Sequence, residues 1–266
     1  LLSTSIPFTG GRNMASSRIA GLISASESPA NILVAEPNAE QRERLVQQFK
    51  IQSTNNNADT LNADVVVLAI KPQLLQLVCR ALAEPLKQSG LKPLFISIAA
   101  GVRSADIDTW LGGNQAIVRC MPNTPSLLQV CATGLYPTPK INDAQKTQAE
   151  NILQALGISL WVKKEDELNA VTAVSGSGPA YFFLMMEAMQ QAGIKLGLET
   201  ETAEKLVLQT ALGAAMMADK SDVDEANLRA SVNYKGGTAE QAIKRFQLGG
   251  FEKMGENALK AARDCS

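Results

Sequence analysis

Residues 64–73, Asp-Val-Val-Val-Leu-Ala-Ile followed by Lys-Pro-Gln, decide the fold of this chain. An uninterrupted apolar run of strand length, rich in β-branched residues, is what a strand needs when both faces of its sheet are covered. Working outward, residues 94–98 (LFISI) and 116–120 (AIVRC) read the same way, and they run out into Ala99-Ala100-Gly101 and Met121-Pro122-Asn123-Thr124-Pro125. Upstream, residues 32–35 (ILVA) form a strand that stops at Glu36, with a helix over 41–49. Residues 6–8 form a short strand that enters Thr9-Gly10-Gly11-Arg12-Asn13-Met14-Ala15 and then an amphipathic helix to about Ile23. Pro7 runs against this reading of the first strand, because proline cannot donate to a ladder. Strands alternating with helices predict an α/β domain with a mostly parallel sheet, whose ligands bind beyond the carboxyl ends of the strands.

From about Asp166 the pattern becomes helical, with segments over 179–196, 202–220, 225–232 and 238–262 and no convincing strand. The charge run Lys163-Lys164-Glu165-Asp166-Glu167 reads as a solvated boundary, giving domains 1–165 and 166–266. Met185, Met186, Met189, Met216 and Met217 fall on apolar helix faces, as core or subunit interface. A helical half this apolar predicts dimerisation. Residues 174–183 (VSGSGPAYFF) read as a small-residue turn opening a helix, with Ser177 as N-cap and Pro179 at the first helical position. The unpaired amides of such a start suit a carboxylate or phosphate.

Composition narrows the chemistry. The 266 residues carry a formal net charge of −1, and no basic field is present to attract a nucleic acid. No apolar run is long enough to cross a bilayer, so no membrane partner and a cytoplasmic location are expected. Cys79, Cys120, Cys131 and Cys265 are widely spaced and fit reduced thiols. Histidine is absent, which removes the commonest general acid and the commonest metal ligand; no metal site is expected, and the chemistry tilts towards an organic cofactor. The first glycine turn has dinucleotide-binding context, with Gly10 and Ala15 in the outer positions of the fingerprint and Glu36 at the distance of its ribose-binding acid. Its middle glycine, which admits the pyrophosphate, is replaced by Arg12.

Five motifs in order, Ala69-Ile70-Lys71-Pro72-Gln73, Ser97-Ile98-Ala99-Ala100-Gly101, Arg119-Cys120-Met121-Pro122-Asn123-Thr124-Pro125, residues 172–181 (TAVSGSGPAY) and Lys235-Gly236-Gly237-Thr238, together resemble pyrroline-5-carboxylate reductase over nearly the whole chain. The resemblance implies a Rossmann domain followed by an all-α domain that interlocks in a homodimer, with decamers in some members. It implies reduction of 1-pyrroline-5-carboxylate to L-proline with NADPH or NADH. For the cofactor it implies Gly10, Gly11, Asn13 and Met14 at the pyrophosphate, and Asn56, Ala69, Lys71, Pro72, Ala99 and Ala100 along the rest; the fingerprint itself puts Glu36 at the ribose and leaves Arg12 able to reach a phosphate. For the substrate it implies Met121, Asn123, Gly176, Ser177 and Gly178, with Gly236 and Gly237 from the partner subunit, and Thr172, Ser175 and Thr238 as hydroxyl contacts in catalysis.

A protonated imine already accepts hydride well, so the reaction asks little of side chains and suits a chain without histidine. Asn233 and Tyr234 stand where the family has Thr-Ser, and Ala239 where it has Thr, removing hydroxyl donors. Two readings therefore stay open: a working reductase, and a catalytically impaired member acting as a nucleotide-binding or oligomeric scaffold. Glu36-Pro37-Asn38 after the second strand should repel a 2′-phosphate, which predicts that NADH is at least competitive with NADPH.

Overall fold

The computed structural model describes residues 6–9, 13–25 and 27–266. The chain divides into two compact units, residues 1–176 with Ser266, and residues 177–265.

The first unit is built on an eight-stranded sheet of β1 (Ile6–Thr9), β2 (Ile32–Ala35), β3 (Gln52–Thr54), β4 (Val65–Leu68), β5 (Leu94–Ser97), β6 (Ala116–Met121), β7 (Cys131–Pro137) and β8 (Gly157–Trp161). Its order is β3-β2-β1-β4-β5-β6-β7-β8, and every pairing is parallel except the antiparallel β6–β7 pair. Helices α1 (Asn13–Ser24), α2 (Ala39–Phe49), α3 (Pro72–Ser89), α4 (Ser104–Trp110) and α5 (Asp143–Gln154) follow strands of this sheet, and the short α6 (Glu167–Val171) comes after β8.

The contiguous apolar runs divide between two cores. Val65 and Val67 of β4, with Leu94 and Ile96 of β5, pack in one cluster with residues of α1, α2 and α5. Val66, Leu68 and Phe95, one residue out of phase, join Leu75, Cys79, Leu82 and Ile107 of α3 and α4 in the other. Successive strand side chains point to opposite faces, so a strand buried on both must be apolar at every position. Burial in the second cluster pushes the Cys79 thiol up to about 12, which leaves it a packing residue. Cys79, Cys120 and Cys131 are buried and Cys265 is exposed.

Pro7 does lie in a central strand, paired with Leu33 of β2. The Thr9 carbonyl accepts the Ala69 N–H on the β4 side, and polar groups two residues apart on a strand face the same neighbour. The missing donor of Pro7 therefore faces β4, and that ladder begins only at Phe8.

The charge run at the foreseen boundary is not all solvated. Lys163, Lys164, Asp166 and Glu167 are exposed, but Glu165 turns inward. Its carboxylate accepts from the Ser104 N–H at 2.7 Å and the Ser104 hydroxyl at 3.0 Å, and it pairs with Arg119 at 3.2 Å.

The second unit is helical: α7 (Gly178–Lys195), α8 (Thr200–Asp219), α9 (Glu225–Ser231), α10 (Thr238–Leu248) and α11 (Phe251–Asp264). The single helix expected over 238–262 is two. Gly249 closes α10 by donating to the Arg245 carbonyl, and Gly250 turns left-handed at φ +74°. Large apolar side chains stay exposed throughout, among them Phe182, Phe183, Leu212, Leu248 and Met254; Met189, Met216 and Met217 belong to this exposed set rather than to a core. No described helix is long and apolar enough to cross a membrane.

Candidate active site

A cleft of about 720 Å³ opens at the carboxyl ends of β1, β2 and β4, where the strand order reverses direction. Among the foreseen residues, Glu36, Ala69 and Lys71 line it, with Pro37 and Asn38 following Glu36; so do Thr9, Gln41, Arg44, Asn57 and Leu74, to which the sequence assigns no role. Glu36 follows β2 and is buried. Its Oε1 accepts the Asn38 N–H at 3.0 Å, and its own carbonyl accepts from the Arg42 guanidinium at 2.8 Å. Asn38 caps α2, its side chain accepting from the Gln41 N–H at 2.9 Å. The acid is thus held by the turn that starts the helix. Small side chains, the carboxylates Glu36 and Glu40 and the cations Arg44 and Lys71 make a lining that fits an elongated polar cofactor carrying ribose and phosphate.

The Asn56 side chain accepts from the Ala58 N–H at 3.1 Å and donates to Asp59 at 2.9 Å, beside Asn57, which lines the cleft. Pro72 opens α3. Ala99 is buried at the end of β5, with Ala100 exposed beside it. Gly10, Gly11 and Arg12 lie outside the described residues, as do the side chains of Asn13 and Met14.

On the far side of the sheet's carboxyl edge, β6 ends at Met121. The Asn123 carboxamide oxygen accepts the Ala132 N–H at 2.9 Å and its carbonyl takes the Cys131 thiol at 3.4 Å, so Asn123 pins the crossing from β6 to β7. The small-residue stretch that reads as a turn is helical: Thr172–Gly176 is a π-helix running on directly from α6. Thr172 donates its hydroxyl to the Leu168 carbonyl at 2.9 Å, and Ser175 to that of Val171 at 3.0 Å. A Cβ on Gly176 would stand 2.9 Å from the Met121 terminal methyl, which brings Met121, Thr172 and Gly176 together. π-Helical turns are rare and concentrate at functional sites. Ser177 does occupy the N-cap position of α7, yet with helical φ and ψ and no side-chain cap bond, and Pro179 falls one place later than a first helical residue.

In the second unit, Gly237 is the N-cap of α10 and Thr238 its exposed first residue. Gly236 has φ +81° and donates its N–H to Glu240 at 2.8 Å. That bond, followed by Lys244, holds the Glu240 carboxyl below its ordinary range. The Tyr234 ring crosses Gly237, where a Cβ would meet its Cε2 at 2.9 Å.

Comparison with known proteins gives a consistent result. Residues 165–266 match the family model described as pyrroline-5-carboxylate reductase dimerisation, and residues 5–101 match that of the coenzyme F420-dependent NADP oxidoreductases. A pyrroline-5-carboxylate reductase of Pseudomonas aeruginosa is 51% identical over 258 residues, covering 97% of this chain and 93% of that enzyme. The solved reductase of Coxiella burnetii superposes with a TM-score of 0.93 at 42% identity, over 98% of this chain and 97% of that one. The Plasmodium falciparum enzyme, solved with NADP bound, superposes at 0.85 with 27% identity, over 98% and 96%.

Proposed function

Because this chain belongs to the pyrroline-5-carboxylate reductase family, we propose that it reduces 1-pyrroline-5-carboxylate to L-proline, an NAD(P)H-dependent step on a C–N double bond that ends proline biosynthesis. The observation that carries this reading is the cleft at the β1/β4 reversal, with Glu36, Ala69 and Lys71 on its walls, in a chain whose relatives along its whole length are named for that reaction. The nicotinamide supplies the hydride.

The chain's own residues bind and orient. Residues 1–165 hold the cofactor and residues 166–266 carry the substrate and dimer contacts. Lys71 and Arg44 meet phosphate, Glu36 the ribose, and Ala99 and Ala100 leave room beyond β5. Met121, Asn123, Gly176, Ser177 and Gly178 form the substrate wall, which Gly236, Gly237 and Thr238 of a second copy complete. Thr172 and Ser175 have committed their protons to Leu168 and Val171, so what they offer is lone pairs. Lone pairs suit the N–H of a protonated imine and repel a carboxylate, which falls instead to backbone amides.

The finer reading is that NADH serves at least as well as NADPH, because the Glu36 carboxylate is held in place by the Asn38 N–H. Assembly beyond the dimer into decamers, and a cytoplasmic location, complete the proposal. The test follows oxidation of NADH and of NADPH with pyrroline-5-carboxylate, together with proline-dependent reduction of NAD+ and NADP+ at high pH. Turnover with NADH kcat/KM equal to or above that for NADPH is expected. No turnover in either direction would sink the reductase reading in favour of the scaffold; a large NADPH preference would sink the role given to Glu36.

A further inference from the structure

Thr9 ends β1, between Ala35 of β2 and Leu68 of β4. It is 1% exposed and lines the cleft, and its hydroxyl oxygen has no hydrogen-bond partner. The main chain of the same residue is provided for, since its carbonyl accepts the Ala69 N–H at 3.1 Å. The shortfall is therefore confined to one buried hydroxyl of a residue that lines the cleft. Its neighbours in register, Ala35 and Leu68, have no polar side-chain atom to offer it. Valine fills the same volume without that cost, so a buried hydroxyl with no internal partner is a net loss to folding unless something from outside meets it.

We propose that the Thr9 hydroxyl is a cofactor-binding group, donating a hydrogen bond to a phosphoryl or ribose oxygen of the bound dinucleotide, directly or through one ordered water. The inference rests on reading the cleft as the dinucleotide site. It adds a polar contact at the end of β1, ahead of the glycine turn, where the fingerprint itself calls only for backbone amides. The hydroxyl is desolvated before the ligand arrives, so little is lost in exposing it to the new partner, and its bond is made in surroundings that exclude competing water.

Two readouts of opposite sign test this. In Thr9→Val the ligand-free protein should melt at the wild-type temperature or above, since an unpartnered polar group has gone. Its Kd for NADH, by fluorescence titration, should be roughly three- to ten-fold weaker, the range of one hydrogen bond. The rise in Tm on adding NADH should shrink accordingly. Thr9→Ser, which keeps the hydroxyl, should bind NADH as the wild type does, and Thr9→Ala reports the same loss should the valine variant fail to fold. A hydroxyl-free variant whose Kd stays within twofold of wild type overturns the inference, as does a serine variant that loses as much as valine, because packing of the methyl would then be the cause. A wild type that binds neither NADH nor NADPH would remove the cleft reading and this inference together; wild-type binding with an unchanged valine variant removes the inference alone.

Discussion

Replacing Glu165 should cost the first unit more stability than any exposed ion pair in the molecule could. The carboxylate makes three contacts, to the Ser104 N–H at 2.7 Å, the Ser104 hydroxyl at 3.0 Å and Arg119 at 3.2 Å, with side chains only 14% and 9% exposed at Glu165 and Arg119. In Glu165→Ala the guanidinium stays buried on β6 without its counter-charge, and the first amide of α4 loses its acceptor. Removing one member of a buried pair costs about 3–5 kcal/mol, most of it the uncompensated charge. At roughly 2–4 °C per kcal/mol for a domain of this size, the melting point should fall by about 6–20 °C. Both tryptophans, Trp110 and Trp161, lie in the first unit, so urea titration by tryptophan fluorescence isolates its transition from that of the helical unit. An Arg119→Met, Glu165→Met double variant should lose far less than the two single losses summed, because no lone charge remains. A Glu165→Ala loss under about 1 kcal/mol would refute the reasoning. That is the scale of an exposed pair such as Lys205–Glu201, whose side chains are 74% and 77% exposed.

Gly157 opens β8 at φ +142°, and a Cβ there would lie 2.1 Å from the Cys131 carbonyl oxygen, so Gly157→Ala must part β7 from β8. A loss of about 2–4 kcal/mol is expected in the same fluorescence titration, and an unchanged urea midpoint would contradict it. Glu240 gives a pH dependence in the second unit. Its carboxyl is held below its ordinary value, chiefly by the Gly236 N–H and then by Lys244, so the stabilisation is present above the ordinary carboxylate range and is lost as pH falls through the lowered value. The Tm difference between wild type and Glu240→Gln should be largest near neutrality and close at acid pH; a difference that persists in acid would show that the charge on Glu240 is not what holds Gly236.

The strands that were legible in the sequence are those buried on both faces. β4, β5 and β6 announce themselves because Val65 to Leu68, Leu94 to Ser97 and Ala116 to Cys120 must satisfy two cores at once. β3, β7 and β8 gave no such signal. β3 is three polar-leaning residues at one edge, β7 carries Gly134 and Pro137, and β8 leaves Ile158 and Leu160 61% and 63% exposed at the other edge. Their place comes from pairing with neighbours distant in sequence, which no local pattern records. The same limit operates at the site. Glu36, Ala69 and Lys71 could be found from their positions at strand ends, whereas Asn38 and Arg44 reach the cleft only because α2 starts under an Asn38 cap.

Residues 172–178 show the limit most clearly. Serines and glycines in that density permit a turn without requiring one. Thr172–Gly176 instead stays helical in a π register before the bend at Ser177, with Thr172 and Ser175 bonded back to carbonyls four residues earlier and Gly176 admitting the Met121 methyl. The bare Cα of Gly176 leaves the Met121 methyl of β6 room to approach undisturbed, and sequence order cannot foretell that approach. The difference matters chemically. A turn would have presented hydroxyl protons and loose amides to any anion; Thr172 and Ser175, with their protons committed to Leu168 and Val171, present lone pairs. In the substrate wall proposed above, such lone pairs would pair with a donor, which among the groups of a cyclic imino acid is the protonated ring nitrogen.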